Sequence, residues 1–348
     1  MKIAIVSGHL SGHGGTEKVV TELIKYDPKN KYTLFLGDKN GDLGWLDSIK
    51  NAKVKFATKN KKIFKLIFSV LFFLSTDSDV VLALSTQYIR LAWICNKFRL
   101  KKYRLVSWIH FSLFDEPTVN LSDLKKASGH LAISSGIKRQ MIKIGIDEKA
   151  IKTVYNPVFM QKSNPINHPS ECLRLCYVGR IQFEGQKNLQ ELFQALAEFD
   201  SGWSLRLVGD GNLEEVQKCK EFLLQEKMSH NVEWVGWVKD PWVHTSDIDY
   251  TVLTSKYEGL PLVLIEAISR GIPCISADCP TGTDDVIQPE NGFLYKSGSV
   301  KDLVKHLYLA QSAKAQNLFN TTTVKGSLNK FSIDNYVELM NEGYQMSE

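Results

Sequence analysis

A strand, a turn and a helix are encoded in succession by the stretch Tyr250-Thr-Val-Leu-Thr-Ser255-Lys-Tyr-Glu258-Gly-Leu-Pro261-Leu-Val-Leu-Ile-Glu266-Ala-Ile-Ser-Arg-Gly271-Ile-Pro273. Pro261 suits a first helical turn, where a missing N–H costs nothing, and Gly271 with Pro273 is typical of a helix end. Glu258 then lies just before the helix, and Glu266 lies about two turns inside it. Because a helix N-terminus between two carboxylates offers free N–H groups, we expect an elongated anionic ligand here.

The composition indicates a globular protein that is long enough for two α/β domains of ordinary size. The chain has 348 residues, of which 43% are hydrophobic and 23% are charged, and its net charge is +5. Such a modest positive charge favours an anionic small molecule or membrane surface and does not indicate nucleic-acid binding. The six cysteines contain no CxxC pair, which favours reduced thiols over a zinc site. We expect no signal peptide and no membrane span, and hence a cytoplasmic protein.

Strand-like apolar runs alternate with helical patterns along the chain, which predicts doubly wound parallel sheets. A turn-rich segment without apolar periodicity separates two such series. We therefore predict a first domain over residues 1–160, a second over residues 170–330, and a final helix within 331–348 that packs back across the junction. The predicted strands are Lys2–Ser7, Tyr32–Leu36, Val54–Ala57, Val80–Leu84, Arg104–Ile109, His130–Ile133, Ile151–Val154, Leu173–Val178, Ser204–Val208, Val232–Val235, Tyr250–Thr254 and the run from Cys274.

Candidate ligand contacts in the first domain follow predicted strands. Gly14 and Gly15 lie in a glycine-rich loop between the first strand and a helix, where backbone can approach a ligand closely. The loop does not have the G-x-G-x-x-G spacing, so a dinucleotide-binding oxidoreductase is disfavoured. His110 ends another strand, at the edge of the sheet where open α/β sheets bind ligands. The alternatives are an ordinary tight turn and a structural histidine.

In the second domain, Arg180 and Lys187 occupy one loop between a strand and a helix. A guanidinium and an ammonium together can neutralise a diphosphate without a metal ion, so we expect no metal. Gly209 and Gly211 follow the next strand and either pass a ligand closely or form a simple turn. The alternative for the two cations is a pair of solvated loop charges.

The segment Lys59–Leu74 joins four lysines to a run of mostly apolar residues that include four phenylalanines. It is too short to span a bilayer, but it fits a helix lying on an anionic leaflet. On that interpretation the protein is peripheral at the inner face of the cytoplasmic membrane. The alternative is a helix that covers the sheet with its lysines in water.

Taken in order, these motifs resemble the retaining GT-B glycosyltransferases of family 4, over nearly the whole chain. Local strings such as Trp108-Ile-His110-Phe-Ser-Leu113 and Phe183-Glu-Gly-Gln-Lys187 are similar to those of the lipopolysaccharide 1,6-galactosyltransferases. The resemblance implies two Rossmann-like domains that face a cleft, a UDP-sugar donor and a glycan or glycolipid acceptor. It also implies that no metal or other cofactor is needed, because cations stabilise the leaving phosphate.

The resemblance further implies roles for individual residues. Arg180 and Lys187 would hold the diphosphate, Glu258 the donor sugar and Glu266 the ribose, while His110 would face the donor sugar near its anomeric carbon. The substrate-binding set would be completed by Gly14, Gly15, Gly209, Gly211, Gly259, Leu260 and Leu262. Asp247-Ile-Asp249 has the DxD spacing of a metal-dependent glycosyltransferase class, but it precedes a strand and is best explained by chance.

Two other functions are kept open. One is a transferase that uses UDP-glucose or UDP-N-acetylglucosamine on a capsule or teichoic-acid acceptor. The other is a non-catalytic protein that binds nucleotide sugars on the same fold, because a fold alone does not fix a function.

Overall fold

The computed structural model describes residues 1–10, 12, 14–57, 62–162 and 171–346. The chain divides into two compact units, residues 1–157 with 331–348 and residues 158–330. Residues 163–170 of the predicted linker lie outside the described residues.

The first unit is built on a parallel sheet whose central strands are buried on both faces, whereas the edge strand at Ala52–Phe56 is partly exposed. Apolar, β-branched sequences such as Lys2-Ile-Ala-Ile-Val-Ser7 suit that position, because helices cover both faces of a parallel sheet. The strand order is β3-β2-β1-β4-β5-β6-β7. The strands are β1 (Lys2–Ser7), β2 (Lys31–Leu36), β3 (Ala52–Phe56), β4 (Val80–Ala83), β5 (Arg104–Ile109), β6 (Gly129–Ala132) and β7 (Ile151–Thr153). The helices are α1 (Gly15–Tyr26), α2 (Lys62–Ser75), α3 (Thr86–Lys97), α4 (Leu121–Leu124) and α5 (Ser135–Lys143).

The second unit repeats this design with a six-stranded parallel sheet in the order β10-β9-β8-β11-β12-β13. Its strands are β8 (Leu173–Val178), β9 (Trp203–Val208), β10 (Val232–Gly236), β11 (Tyr250–Leu253), β12 (Cys274–Asp278) and β13 (Gly292–Lys296). Its helices are α6 (Leu189–Glu198), α7 (Leu213–Gln225), α8 (Leu262–Ile268), α9 (Thr283–Val286), α10 (Val300–Ala315) and α11 (Thr321–Gly326). The α/β class predicted from the alternating pattern is confirmed.

The final helix, α12 (Ile333–Gln345), belongs to the first unit, where it packs against β6, β7 and α1. Tyr344 is fully buried, and its hydroxyl lies 3.4 Å from that of Tyr32. The Tyr32 hydroxyl in turn donates to Asp27 at 2.7 Å. Arg104 donates to the carbonyl of Tyr344, also at 2.7 Å. Buried hydroxyls that are hydrogen-bonded in this way attach the end of the chain to the first sheet.

In each sheet, successive strands are added first toward one edge, and the chain then returns to the middle and adds strands toward the other edge. We call the gap between the two strands where this happens the direction change. In the first unit this point lies between β1 and β4, and in the second it lies between β8 and β11. The loops that follow two such strands run to opposite sides and leave a crevice, in which open α/β sheets bind ligands. Two places, one in each unit, are therefore the structural candidates for binding.

Helix α2 covers part of the first sheet and also carries an exposed apolar surface. Phe72 and Phe73 are buried, and the ring of Phe72 stacks on that of Phe35 at 4.3 Å. Large apolar side chains elsewhere on the helix are exposed, namely Ile63, Phe64, Leu66, Ile67, Phe68, Leu71 and Leu74. In the part of the chain that the structure describes, no helix is long and apolar enough to cross a membrane. Lys59 and Lys61 of the predicted membrane segment lie outside the described residues.

Candidate functional site

The loop between β8 and α6 carries Arg180 and Lys187, and neighbouring groups hold it at several points. The hydroxyl of Tyr177, whose pKa is raised by burial, donates to the carbonyl of Arg180 at 2.7 Å. The N–H of Phe183 donates to the carboxylate of Glu215 at 2.8 Å. Asn188 begins α6 from a left-handed conformation with φ of 50°. Anchors at both ends and in the middle limit where Lys187 can lie, while the side chain of Arg180 stays exposed.

Gly209 and Gly211 allow the loop after β9 to pack directly on this first loop. A Cβ atom on Gly209 would lie 1.9 Å from the carbonyl oxygen of Gly179, and one on Gly211 would lie 2.2 Å from that of Ile181. The φ of Gly209 is 138°, a value that side chains rarely tolerate. Backbone packing within the unit therefore requires both glycines. Their predicted contact with substrate stays a prediction.

Lys187 and Glu258 form an ion pair at the crevice between β8 and β11. The Lys187 Nζ lies 2.6 Å from Glu258 Oε1, and the two side chains are only 19% and 10% exposed. The backbone on both sides is fixed, since the hydroxyl of Thr254 donates to the carbonyl of Lys187 at 3.0 Å. The N–H of Lys256 donates to the carbonyl of Gln186 at 2.8 Å. This arrangement keeps an oriented, partly desolvated cation at the place where the topology predicts a ligand.

Beyond Glu258 the chain turns through Gly259, Leu260 and Pro261 before α8 begins. The carbonyl of Glu258 accepts a hydrogen bond from the hydroxyl of Thr281. Leu260 is buried, whereas Leu262, the first residue of α8, is half-buried. Because the helix begins at Leu262, Glu266 lies about one turn inside it. The expectation that Glu266 lies about two helical turns inside α8 was wrong. The non-helical turn after Glu258 extends up to Leu262, further than its glycine and proline indicated.

Glu266 is positioned by residues that the sequence analysis did not connect to it. The indole N–H of Trp242 donates to Glu266 Oε2 at 3.0 Å, and the guanidinium of Arg270 lies 4.9 Å from the centre of the same indole. Burial lowers the pKa of Arg270, although Glu266 and Asp240 oppose that effect. A carboxylate held by an indole and flanked by a guanidinium is well oriented to accept hydrogen bonds from ligand hydroxyl groups.

The first unit has a cavity of about 790 Å³ at its own change of direction, between β1 and β4. His110 lines it, and its ring lies 4.6 Å from that of Trp108. Burial lowers the pKa of His110 to about 3, so the imidazole is neutral at physiological pH. Within the described residues its Nε2 has no hydrogen-bond partner. His110 therefore contributes a neutral, buried imidazole to the wall of this cavity.

Gly14 and Gly15 lie at the start of α1, and both are exposed. Glu17 shapes the loop before them, because it accepts a hydrogen bond from the N–H of Gly12 at 2.8 Å. A Cβ atom on Gly14 would lie 2.7 Å from the carboxylate of Glu17. Ser11 and His13 of the same loop lie outside the described residues.

Both aspartates of the DxD-like pair form ion pairs with cationic side chains of the protein. Asp247 pairs with Arg206 at 2.6 Å. Asp249 is almost fully buried and pairs with Lys314 at 2.7 Å and with Arg174. Among the residues described, no group of three or more histidine, cysteine or acidic side chains is arranged to hold a metal ion.

Comparison with known proteins identifies the family. The family model of the glycosyl transferases group 1 matches residues 159–321. The lipopolysaccharide 1,6-galactosyltransferase of Salmonella typhimurium is 34% identical over 95% of each chain, and that of Escherichia coli K12 is 34% identical over 87% of each. The chain belongs to the group 1 glycosyltransferases.

Solved structures agree with this assignment. The apo form of the lipopolysaccharide outer core galactosyltransferase WaaB is 32% identical, with a TM-score of 0.87 over 99% of both chains. The Anabaena protein HepE in complex with UDP has a TM-score of 0.81 at 16% identity, which shows the fold alone. The resemblance to GT-B glycosyltransferases, the GT-B class and the prediction of an enzyme are confirmed. The roles of single residues in this glycosyltransferase stay predictions.

Proposed function

We propose that this glycosyltransferase moves galactose from UDP-galactose to a sugar of the lipopolysaccharide core, with retention of the anomeric configuration. The similarity to two lipopolysaccharide 1,6-galactosyltransferases, at 34% identity over most of the chain, supports galactose as the transferred sugar and lipopolysaccharide as the acceptor. The observation that carries the donor site is the ion pair of Lys187 with Glu258 at the direction change of the second sheet, where Lys187 shares the loop between β8 and α6 with Arg180.

The diphosphate of the donor would bind Arg180 and Lys187. A guanidinium can donate two parallel hydrogen bonds to phosphate oxygens, whereas an ammonium acts as a point charge. Together the two can supply the positive charge that a metal ion supplies in metal-dependent enzymes. Glu266, oriented by Trp242, would accept hydrogen bonds from the ribose hydroxyls. Glu258 would accept hydrogen bonds from the sugar, with the turn through Gly259, Leu260 and Leu262 lining the same ligand.

In the reaction, the bond between the anomeric carbon and the β-phosphate oxygen breaks as the acceptor oxygen bonds to the same carbon. The proton of the acceptor hydroxyl passes to the departing phosphate oxygen, and the product is UDP. Because leaving group and acceptor occupy one face of the sugar, the configuration is retained. Arg180 and Lys187 would stabilise the charge that develops on the phosphate, an effect that is often the largest single contribution to catalysis. His110 stays a predicted contact of the donor sugar.

A second candidate differs in donor and acceptor. A poly(ribitol-phosphate) α-N-acetylglucosaminyltransferase of Staphylococcus aureus is 24% identical over 43% of the chain. This weaker similarity supports transfer of N-acetylglucosamine to a teichoic-acid acceptor, and the similarity to a capsular polysaccharide biosynthesis glycosyltransferase of Staphylococcus aureus, 27% identical over 42% of the chain, supports a capsule acceptor. UDP-N-acetylglucosamine and UDP-glucose are the alternative donors.

A donor comparison tests the proposed function. The purified enzyme is incubated with UDP-galactose, UDP-glucose or UDP-N-acetylglucosamine and with core oligosaccharide that lacks the 1,6-linked galactose, and the UDP released and the product are measured. We expect transfer from UDP-galactose with a kcat/KM at least tenfold above that for the other donors. Preference for another donor, or no product with this acceptor, would contradict the proposal.

We also propose that α2 rests on the surface of an anionic membrane. Its exposed side chains are aliphatic or aromatic along most of the helix, it contains no acidic residue, and the exposed Lys62 lies at its start. Exposed apolar surface of this kind marks an interaction site. Lys62 complements anionic headgroups while the apolar side chains enter the interface.

The double substitution Ile67→Gln with Leu71→Gln tests the membrane proposal. Both side chains are about half exposed, so folding should be unaffected, but each loses roughly 1.5–3 kcal/mol of apolar burial in lipid. We expect binding to vesicles of phosphatidylcholine and phosphatidylglycerol, measured by co-sedimentation, to fall at least tenfold. The matched control is Leu213→Gln with Leu224→Gln on α7, where both leucines are also exposed. Equal binding by both double variants would count against the proposal.

A further inference from the structure

The cavity of the first unit contains a cluster of polar side chains from three separate elements. His9 follows β1, Asp38 follows β2 and Lys65 lies on α2. The imidazole Nδ1 of His9 lies 3.0 Å from Asp38 Oδ1, and Lys65 Nζ lies 3.1 Å from Asp38 Oδ2. All three residues line the cavity, next to the direction change between β1 and β4.

Asp38 orders the cluster from its centre. Its side chain is 17% exposed, and its Oδ1 also accepts a hydrogen bond from the N–H of Asn40 at 3.2 Å. Burial opposes ionisation of Asp38, but hydrogen bonds from His9 and Lys65 outweigh it and lower the pKa of the carboxyl group. The carboxylate therefore stays charged near neutral pH and holds both neighbours in place.

This arrangement leaves two hydrogen-bonding groups for a ligand. Because Nδ1 of His9 faces a carboxylate, it carries a proton and donates it, so Nε2 on the other side of the ring remains available. The side chain of His9 is 50% exposed. Lys65 uses one of its three N–H groups on Asp38 and keeps two. A carboxylate that orients an imidazole is a recurring way to fix the ring and its tautomer.

We propose that His9, oriented by Asp38, together with Lys65 binds hydroxyl groups of the acceptor sugar other than the one that is glycosylated. The inference rests on the proposed function, because it names the acceptor contacts of the same reaction. A sugar hydroxyl suits Nε2 in either protonation state, since it can donate to a neutral ring and accept from a charged one. Apolar side chains in the same cavity, such as Leu91 and Ile94, would cover the faces of the sugar ring. His9 and Lys65 are thus positioning residues, and no proton transfer through them is required.

Two amide substitutions separate acceptor binding from a structural role. Glutamine at position 9 places its amide where Nε2 lies and loses the contact with Asp38. Asparagine places its amide near Nδ1, so it keeps the contact with Asp38 and loses the ligand contact. We therefore compare His9→Gln, His9→Asn and His9→Ala, with His230→Ala as a control on an exposed histidine of the second unit.

Each variant is assayed with UDP-galactose and core oligosaccharide that lacks the 1,6-linked galactose, and the KM for each substrate and kcat are measured. We expect His9→Ala and His9→Asn to raise the KM for the acceptor about five- to tenfold, as for one lost hydrogen bond, while kcat, the KM for UDP-galactose and hydrolysis of the donor without acceptor stay unchanged. His9→Gln, in contrast, should have a KM for the acceptor within about twofold of that of the unsubstituted enzyme.

Rescue by His9→Asn but not by His9→Gln would show a structural role and overturn the proposal, as would a normal KM for the acceptor in His9→Ala. These outcomes are distinct from failure of the proposed function. In that case the unsubstituted enzyme itself would transfer no galactose to this acceptor.

Discussion

Replacement of Lys187 by alanine is expected to lower kcat/KM for galactose transfer by about a hundred- to a thousandfold. Lys187 is the cation that the structure holds at the crevice between β8 and β11, 2.6 Å from Glu258. If it stabilises charge on the leaving phosphate, its loss removes an interaction that is strongest in the transition state. The fall should then appear mainly in kcat, with a smaller change in binding of UDP. Initial rates and calorimetric titration with UDP measure the two effects.

Two further variants distinguish a catalytic effect of Lys187→Ala from an effect on folding. Lys256→Ala removes an exposed lysine from the neighbouring loop, where its backbone N–H but not its side chain bonds to Gln186. It should retain near-normal activity. Lys187→Met with Glu258→Gln removes both charges of the pair, so no partly buried carboxylate is left unpaired, and stability should recover while transfer does not. Equal activity in Lys187→Ala and Lys256→Ala would refute the catalytic role.

Replacement of Gly209 by alanine is expected to destabilise the second unit by more than about 3 kcal/mol, or to prevent it from folding. The new Cβ would lie 1.9 Å from the carbonyl oxygen of Gly179, which is backbone and cannot rotate away. The N–H of Gly209 also donates to the carbonyl of Gly236 at 2.9 Å, so a shift of the loop after β9 would break its hydrogen bond to the end of β10.

Gly298→Ala is the matched control for the steric clash that a Cβ atom at position 209 would cause. Gly298 also has a positive φ of 78°, but no heavy atom lies within 4 Å of the position that a Cβ atom would take there. Its substitution should cost only about 1 kcal/mol, the strain of a side chain in that backbone conformation. Thermal or denaturant unfolding of the two variants gives the difference. Similar stabilities would mean that the loops after β8 and β9 can separate at little cost.

The strands were predictable because their signal is local. A parallel strand that is buried on both faces needs a short apolar run, and each predicted run overlaps a strand of the structure. The order of motifs was also sufficient to recognise the family. Arg180, Lys187 and Glu258 were predictable because loops after strands carry ligands in this class of fold, and the structure places Lys187 against Glu258 at such a loop.

What could not be predicted depends on contacts between residues that are distant along the chain. His9 lies 29 positions from Asp38, and Trp242 lies 24 positions from Glu266. No local pattern indicates such pairs, because the strand order and the packing of loops bring them together. The helix start was misplaced for a related reason, since the carbonyl of Glu258 bonds to Thr281 and the chain beyond it continues as a turn to Leu262.

By itself the sequence determined the alternation of strands and helices, the glycosyltransferase family and the loops that would carry charge, because each of these is written in short stretches of neighbouring residues. Only the tertiary structure decided that Gly209 is required by the backbone of Gly179, that an indole orients Glu266, and that His9, Asp38 and Lys65 meet in one cavity. Those features depend on distances across the sheets, and such distances are fixed only when the whole unit packs.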